Sequence, residues 1–63
     1  MQRSREVIFE FIQAGNCIKV VAIDVVTGLE VSIMGPKAAT QEHLQQTALS
    51  KLHYQLRRQN FGT

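Results

Sequence analysis

The sequence predicts an α+β fold in which three antiparallel strands form a meander and one C-terminal helix packs on one face of the sheet (β-β-β-α). Three observations predict it. Branched and aromatic residues fill three short segments, glycine-containing turns separate them, and the apolar period becomes helical after Pro36. The chain of 63 residues is long enough for one small domain. We expect that domain to span residues 1–63, with frayed termini at 1–5 and 60–63.

The first two strands are predicted on either side of a tight hairpin loop. Residues 6–13 and 18–24 are rich in the aromatic and branched side chains that favour strands. Between them, Gly15 and Asn16 suit a two-residue loop because both residue types tolerate a positive φ. The sequence therefore predicts an antiparallel hairpin.

The third strand is predicted over residues 29–34. It follows a longer loop at residues 25–28, whose Gly28 suits the left-handed position that closes such a loop. Gly35 and Pro36 are expected to end the strand, because proline cannot donate a ladder hydrogen bond.

The two loops predict registers that agree with each other. The predicted pairs are Phe9 with Ala22, Phe11 with Val20, Ala22 with Val31, and Val20 with Ile33. Side chains alternate between the two faces of a sheet, so these registers define one face completely. That face is entirely apolar: Val7, Phe9, Phe11, Ile18, Val20, Ala22, Val31 and Ile33. A slip of one residue in either hairpin would break this set, which supports the meander.

A helix is predicted from about Gln41 to Arg58, with Thr40 as its N-cap and Glu42 in its first turn. At 100° per residue, one apolar stripe forms along it: Leu44, Ala48, Leu49, Leu52 and Leu56. This stripe is expected to cover the apolar sheet face. The side chains expected to be nearly fully buried against Leu52 and Leu56 are Phe9, Phe11, Val20 and Ile33.

The opposite sheet face is mixed and has no second helix to cover it. Glu10, Lys19 and Glu30 alternate there with apolar residues. An exposed apolar patch of this kind is typical of an interaction site. We therefore predict a homodimer formed through this face, with these contact residues: Ile8, Ile12, Val21, Ile23 and Met34.

The outer side of the helix supports an alternative function. The net charge is +2, and the basic excess lies in residues 37–63. Cations spaced three or four residues apart could bind phosphates, and one tyrosine among them could stack on a base. The alternative is thus a weak nucleic-acid-binding protein with these contact residues: Lys51, Tyr54, Arg57 and Arg58.

The residues that could perform chemistry are few and scattered. His43 and His53 lie roughly 15 Å apart along one helix, so they cannot share a metal. Cys17 has no neighbour in sequence that would activate its thiol. We therefore expect no catalytic residue, no metal or other cofactor and no small-molecule substrate, and we expect the protein not to be an enzyme.

Targeting signals are also missing from the sequence as given. The polar N-terminus lacks the uninterrupted apolar stretch of a signal peptide, and no run approaches a membrane span of ~20 apolar residues. A lone cysteine fits a reducing compartment. The sequence therefore predicts a soluble cytoplasmic protein.

Several short motifs together resemble a known family. They are Gly15-Asn16, Ile18-Lys19-Val20, Ala22-Ile23-Asp24, Thr27-Gly28, Glu30-Val31-Ser32-Ile33, Gly35-Pro36 and, in the helix, Leu49-x-Lys51-Leu52-x-Tyr54-x-Leu56. They are similar to a family of small bacterial, mainly alphaproteobacterial, proteins that form a domain of unknown function. Members of that family carry a proline near the position of Val25, which this chain lacks. The resemblance implies the fold and a bacterial cytoplasmic origin, and it implies no activity or site residue.

Overall fold

The computed structural model describes residues 6–61, with side chains as far as residue 59. The elements along the chain are strands β1 (Val7–Ala14), β2 (Cys17–Asp24) and β3 (Glu30–Pro36), followed by helix α1 (Gln41–Phe61). The strands form one antiparallel sheet in the order β1-β2-β3. The predicted α+β fold is therefore confirmed. Of the residues that we expected to fray, 1–5 and 62–63 lie outside the described residues, and residues 60–61 belong to α1.

Both predicted registers are confirmed. The observed pairs include Phe9 with Ala22, Phe11 with Val20, Ala22 with Val31, and Val20 with Ile33. The loops explain why these registers form. Gly15 (φ 63°) and Gly28 (φ 77°) take the left-handed positions, where other residues are strained. Asn16 does not have a positive φ, so the first loop shows the φ pattern of a type II′ turn.

The second loop is held together by Asp24, a fully buried residue at the end of β2. Asp24 Oδ2 accepts hydrogen bonds from the Thr27 amide at 3.0 Å and the Thr27 hydroxyl at 2.7 Å. The Thr27 hydroxyl oxygen accepts in turn from the Leu29 amide at 3.1 Å. Aspartate closes turns in this way because its short carboxylate reaches the backbone ahead of it. The helix-facing side of β2 therefore ends in a buried carboxylate that accepts hydrogen bonds from the second loop.

We expected β3 to stop before Gly35 and Pro36, but the strand includes both residues. Pro36 is tolerated because β3 is an edge strand, where a missing N–H costs no ladder bond. The ladder continues past it, since the Lys37 amide donates to Asn16 O at 2.8 Å. Gly35 faces the helix, and a Cβ at this position would collide with Leu44 Cδ2. Glycine therefore allows the helix to approach the sheet here.

The core lies between α1 and strands β2 and β3. Its buried side chains are Val20, Ala22, Val31, Leu44, Ala48, Leu52 and Leu56. A helix with its side chains is about 10 Å wide, and strands lie ~4.8 Å apart, so one helix covers about two strands. Strand β1 is left at the margin of the core.

This geometry corrects part of the predicted core. Val20 is fully buried as expected, but Phe9, Phe11 and Ile33 are only half-buried. They pack against the core cluster from its sides. The prediction was wrong for these three residues because Phe9 and Phe11 lie on β1, which the helix leaves at the margin of the core, and Ile33 lies on the edge strand β3.

Helix α1 begins as predicted. Thr40 Oγ1 accepts a hydrogen bond from the His43 amide at 3.1 Å, and Thr40 O accepts one from the Leu44 amide at 3.1 Å, which is the arrangement of an N-cap. The helix ends at Phe61 rather than near Arg58, because no glycine or proline occurs before Gly62. Of the predicted stripe, Leu49 alone is half-buried and the other members are buried.

Candidate functional site

The sheet face opposite the helix is the main candidate for an interaction surface, and we call it the open face. Its side chains lie in rows across the three strands. The rows are Ile8-Ile23-Glu30, Glu10-Val21-Ser32, Ile12-Lys19-Met34 and Ala14-Cys17-Pro36, read from β1 to β3. The structure therefore brings the five predicted contact residues together on one surface, with Val21 on the central strand.

The apolar side chains of the open face are strongly exposed at its margins. Ile8 is 48% exposed, Ile12 47% and Met34 59%, whereas Val21 and Ile23 are half-buried. The described helix packs on the other side of the sheet, so residues 6–59 provide nothing that covers this surface. Exposed apolar groups that adjoin each other in this way are typical of surfaces that bind another protein.

Three exposed charges divide the open face. Lys19 lies on the central strand, diagonal to Glu10 on β1, and Glu30 lies at the far end of β3. A shallow hollow of about 180 Å³ adjoins Lys19 and Glu30 and is also lined by Val21, Val31 and Ser32. The face is thus an apolar surface with separated charges of both signs.

The basic side of the helix is partly occupied by contacts within the chain. Lys51 Nζ donates to the backbone carbonyl of Ser32 at 2.8 Å, which directs this cation towards the edge of β3. The Arg58 guanidinium lies 5.7 Å from the centre of the Tyr54 ring, and Arg58 Nη1 is 3.5 Å from the Tyr54 hydroxyl. One ring face of Tyr54 is therefore already in contact with a cation.

Three of the four residues predicted to contact nucleic acid take part in these contacts within the chain. Tyr54 and Arg58 form a pair one helical turn apart, Lys51 is bound to the sheet, and Arg57 is exposed. A phosphate would compete with the Ser32 carbonyl for Lys51, and a base would compete with Arg58 for the Tyr54 ring. The arrangement favours a helix surface that stabilises the fold over one that is ready to bind nucleic acid.

A second hollow lies where the helix begins. It has a volume of about 230 Å³, and its lining residues are Phe11, Ile18, Lys37, Ala39, Gln41 and Leu44. It exists because the helix covers β2 and β3 but leaves the end of β1 uncovered. Its walls are mainly apolar, with Lys37 as the charged residue in its lining.

The residues capable of chemistry are not assembled into a site. Within residues 6–59, no group of three or more His, Cys, Asp or Glu side chains is placed to hold a metal ion. His43 and His53 are both exposed on the helix, and Cys17 is half-buried at the start of β2. In the described part of the chain, α1 lacks the apolar length that crossing a bilayer requires.

Sequence reasoning missed three features that bear on these surfaces. The hydrogen bond from Lys51 to the edge of β3 links residues far apart in sequence, so no local pattern could indicate it. The incomplete coverage of β1 depends on where the helix lies across the sheet. Burial of Asp24 did carry a signal, because Asp24 has the same strand parity as Val20 and Ala22 and precedes Thr27-Gly28.

Comparison with known proteins assigns a family but no activity. Neither the curated proteins nor the solved structures include a significant match to the chain. A family model described as a domain of unknown function, DUF6898, matches residues 4–59 and so spans all three strands and most of the helix. The chain therefore belongs to the DUF6898 family.

Proposed function

We propose that this protein is a non-enzymatic interaction module that self-associates through its open face. Two copies would pack sheet against sheet as a symmetric dimer and bury Ile8, Ile12, Val21, Ile23 and Met34. The observation that carries the proposal is the exposure of Ile8, Ile12 and Met34, each about half or more, on a face that no described element covers.

The charges of the open face are compatible with such packing. In the proposed dimer, the twofold axis lies between the two packed sheets and is perpendicular to the strands. It passes midway between the row of Val21 and the row of Lys19. This symmetry places Lys19 of one copy above Val21 of the other. In this position Lys19 adjoins Glu10 of the other copy, because Glu10 pairs with Val21. The two carboxylate–ammonium pairs that result would offset the cost of removing these charges from water.

The size of the face indicates a modest affinity. Three strands ~4.8 Å apart and about eight residues long make a surface of roughly 14 by 25 Å. Such an area lies at the low end of specific protein interfaces. We therefore expect a dimer with a Kd in about the micromolar range rather than an obligate assembly.

The substitution Val21→Lys tests the proposal. It places a second cation at the centre of the contact, where Lys19 of the other copy would lie above it, and like charges that meet in an interface cost roughly several kcal/mol. The residue lies on the side of the sheet away from the helix core, so the monomer should remain folded. Sedimentation velocity from about 10 µM to about 1 mM should show the wild type associating at clearly lower concentrations than Val21→Lys, because the variant lacks the open-face contact.

Val26→Lys is the matched control, because Val26 is 75% exposed in the second loop and lies off the open face. It adds the same charge and should dimerise as the wild type does. A wild type that remains monomeric over the whole range, or a Val21→Lys variant that dimerises with unchanged affinity, would contradict the proposal.

We also place this module in the bacterial cytoplasm. Support comes from the family resemblance, which implies a bacterial and mainly alphaproteobacterial distribution, and from the single cysteine, which fits a reducing compartment. A fusion to a fluorescent protein in a native host tests the location. Diffuse cytoplasmic signal is expected, and signal confined to the cell envelope would exclude it.

A further inference from the structure

The two edges of the sheet differ in how well their backbone groups are protected. On β3, the Ser32 carbonyl accepts a hydrogen bond from Lys51 Nζ at 2.8 Å, and Pro36 has no N–H to offer. Lysine and proline at an edge are known devices against the addition of another strand. The β3 edge is therefore protected.

The hydrogen-bond pattern indicates which groups of β1 point outward. Ala14 and Cys17 close the first loop, and residues that flank a two-residue hairpin loop exchange hydrogen bonds. At the other end of the hairpin, the Val25 amide donates to Glu6 O at 3.2 Å, which fits the same alternation. Even-numbered residues of β1 therefore bond to β2. The residues whose backbone groups point away from the sheet are Val7, Phe9, Phe11 and Gln13.

Strand β1 has none of the protection found on β3. Within the described part of the chain, no backbone or side-chain group is hydrogen-bonded to these outward-pointing groups. The strand pairs with β2 without a bulge and contains neither lysine nor proline. Phe9 and Phe11 are half-buried along the same edge, because the helix packs on β2 and β3.

We propose that the β1 edge is a strand-addition surface and that its partner is β1 of a second copy of this chain. A strand that fits this edge must supply free backbone groups and apolar side chains at alternate positions on the helix side. Strand β1 itself meets both requirements through Val7, Phe9 and Phe11. The result is a continuous six-stranded sheet with a helix over each outer part.

Charge and length select one register for this pairing. In a symmetric antiparallel pairing, a twofold axis passes through one residue position, which then lies opposite itself. An axis at Glu10 would place the Glu10 carboxylates of the two copies directly opposite each other, which is destabilising. An axis at Phe9 would pair only part of the strand. An axis at Phe11 pairs residues 8–14 of each copy, with Phe11 opposite Phe11, Phe9 opposite Gln13 and Glu10 opposite Ile12.

This register also covers apolar surface that the monomer leaves open. Phe11 lines the hollow of about 230 Å³ beside the start of the helix. In the pairing, Phe11 of the second copy comes next to this hollow on the same side of the sheet, where two aromatic rings can contact each other. The edge contact uses different groups from the open face, so both contacts can form in one assembly, and each is testable alone.

Amide hydrogen exchange tests the edge contact directly. The experiment uses the Val21→Lys protein, in which the open-face contact does not contribute, over about 20 µM to about 1 mM. Edge pairing should slow exchange at Phe9, Phe11 and Gln13 by about tenfold or more as concentration rises, because these amides gain hydrogen bonds. The same series on the wild type provides the result if Val21→Lys does not fold. Exchange rates at these amides that are independent of concentration would overturn the proposal.

A matched pair of variants at Gln13 identifies the bond involved. Gln13→Pro removes an outward N–H, and Gln13→Ala keeps it. In the Val21→Lys background, the proline variant should lose the slowed exchange at Phe9 and Phe11, and the alanine variant should keep it. Equal behaviour of the two variants would overturn the assigned register. A third outcome is that Val21→Lys does not associate and that the β1 amides of the wild type exchange at the same rate at all concentrations. This outcome would overturn the edge contact and support the open-face contact alone.

Discussion

Asp24 shows at the scale of a single residue how a small domain closes a loop without a large core. Its carboxylate accepts two hydrogen bonds from Thr27 while being fully buried. The loop conformation then lets the Asp24 amide donate to Leu29 O at 2.8 Å, which starts the pairing of β2 with β3. The register of the second hairpin therefore depends on this side chain as well as on Gly28.

Replacing Asp24 by alanine should lower the free energy of unfolding by about 1–3 kcal/mol, because the Thr27 amide and hydroxyl lose their acceptor. Asp24→Asn keeps an oxygen acceptor and should cost less. Urea unfolding of the three proteins measures both effects. An alanine variant as stable as the wild type would show that the loop is held by its backbone alone.

At the scale of elements, the position of the helix decides which strands are buried. Alternation and loop chemistry predicted every strand pair correctly, because both are local properties of the sequence. They show which face a side chain occupies, but not how far across that face a single helix extends. For that reason Phe9 and Phe11 lie on the predicted face and yet are half-buried.

This geometry predicts an unusual order of stability losses. Leu52→Ala should cost about 2–5 kcal/mol, since Leu52 is fully buried. Phe11→Ala should cost less than Leu52→Ala, although phenylalanine is the larger residue, because it already contacts solvent. Unfolding of both variants at a concentration where the protein is monomeric measures the order. A larger loss for Phe11→Ala would mean that β1 lies under the helix after all.

The helix surface gives the second element-scale prediction. Lys51 and Tyr54 are engaged within the chain, so we expect no salt-sensitive binding of the wild type to single- or double-stranded nucleic acid at low salt. If binding occurs, replacing Arg57 and Arg58 by alanine should flatten the dependence of log K on log salt by about two units. Fluorescence anisotropy with labelled DNA and RNA decides between these outcomes.

At the scale of the whole molecule, the one helix and three strands formed by residues 6–61 leave two of their surfaces uncovered: the open face and the β1 edge. The open face could be predicted from the sequence, because its residues follow from strand alternation and the chain contains one helical segment. The edge asymmetry could not, because it depends on Lys51 reaching Ser32 across the fold and on Pro36 remaining within β3. The coverage of a surface depends on tertiary packing, and local sequence patterns do not indicate it.

Contacts between methyl groups of two copies test the open-face proposal most directly. An isotope-filtered nuclear Overhauser experiment on an equal mixture of labelled and unlabelled protein, at about 1 mM, detects only intermolecular contacts. We predict signals between the methyl groups of the open face, with Val21 near the centre and Ile8, Ile12 and Met34 towards the margins. Their absence in a sample that sediments as a dimer, or intermolecular signals confined to Phe9 and Phe11 at the β1 edge, would contradict it.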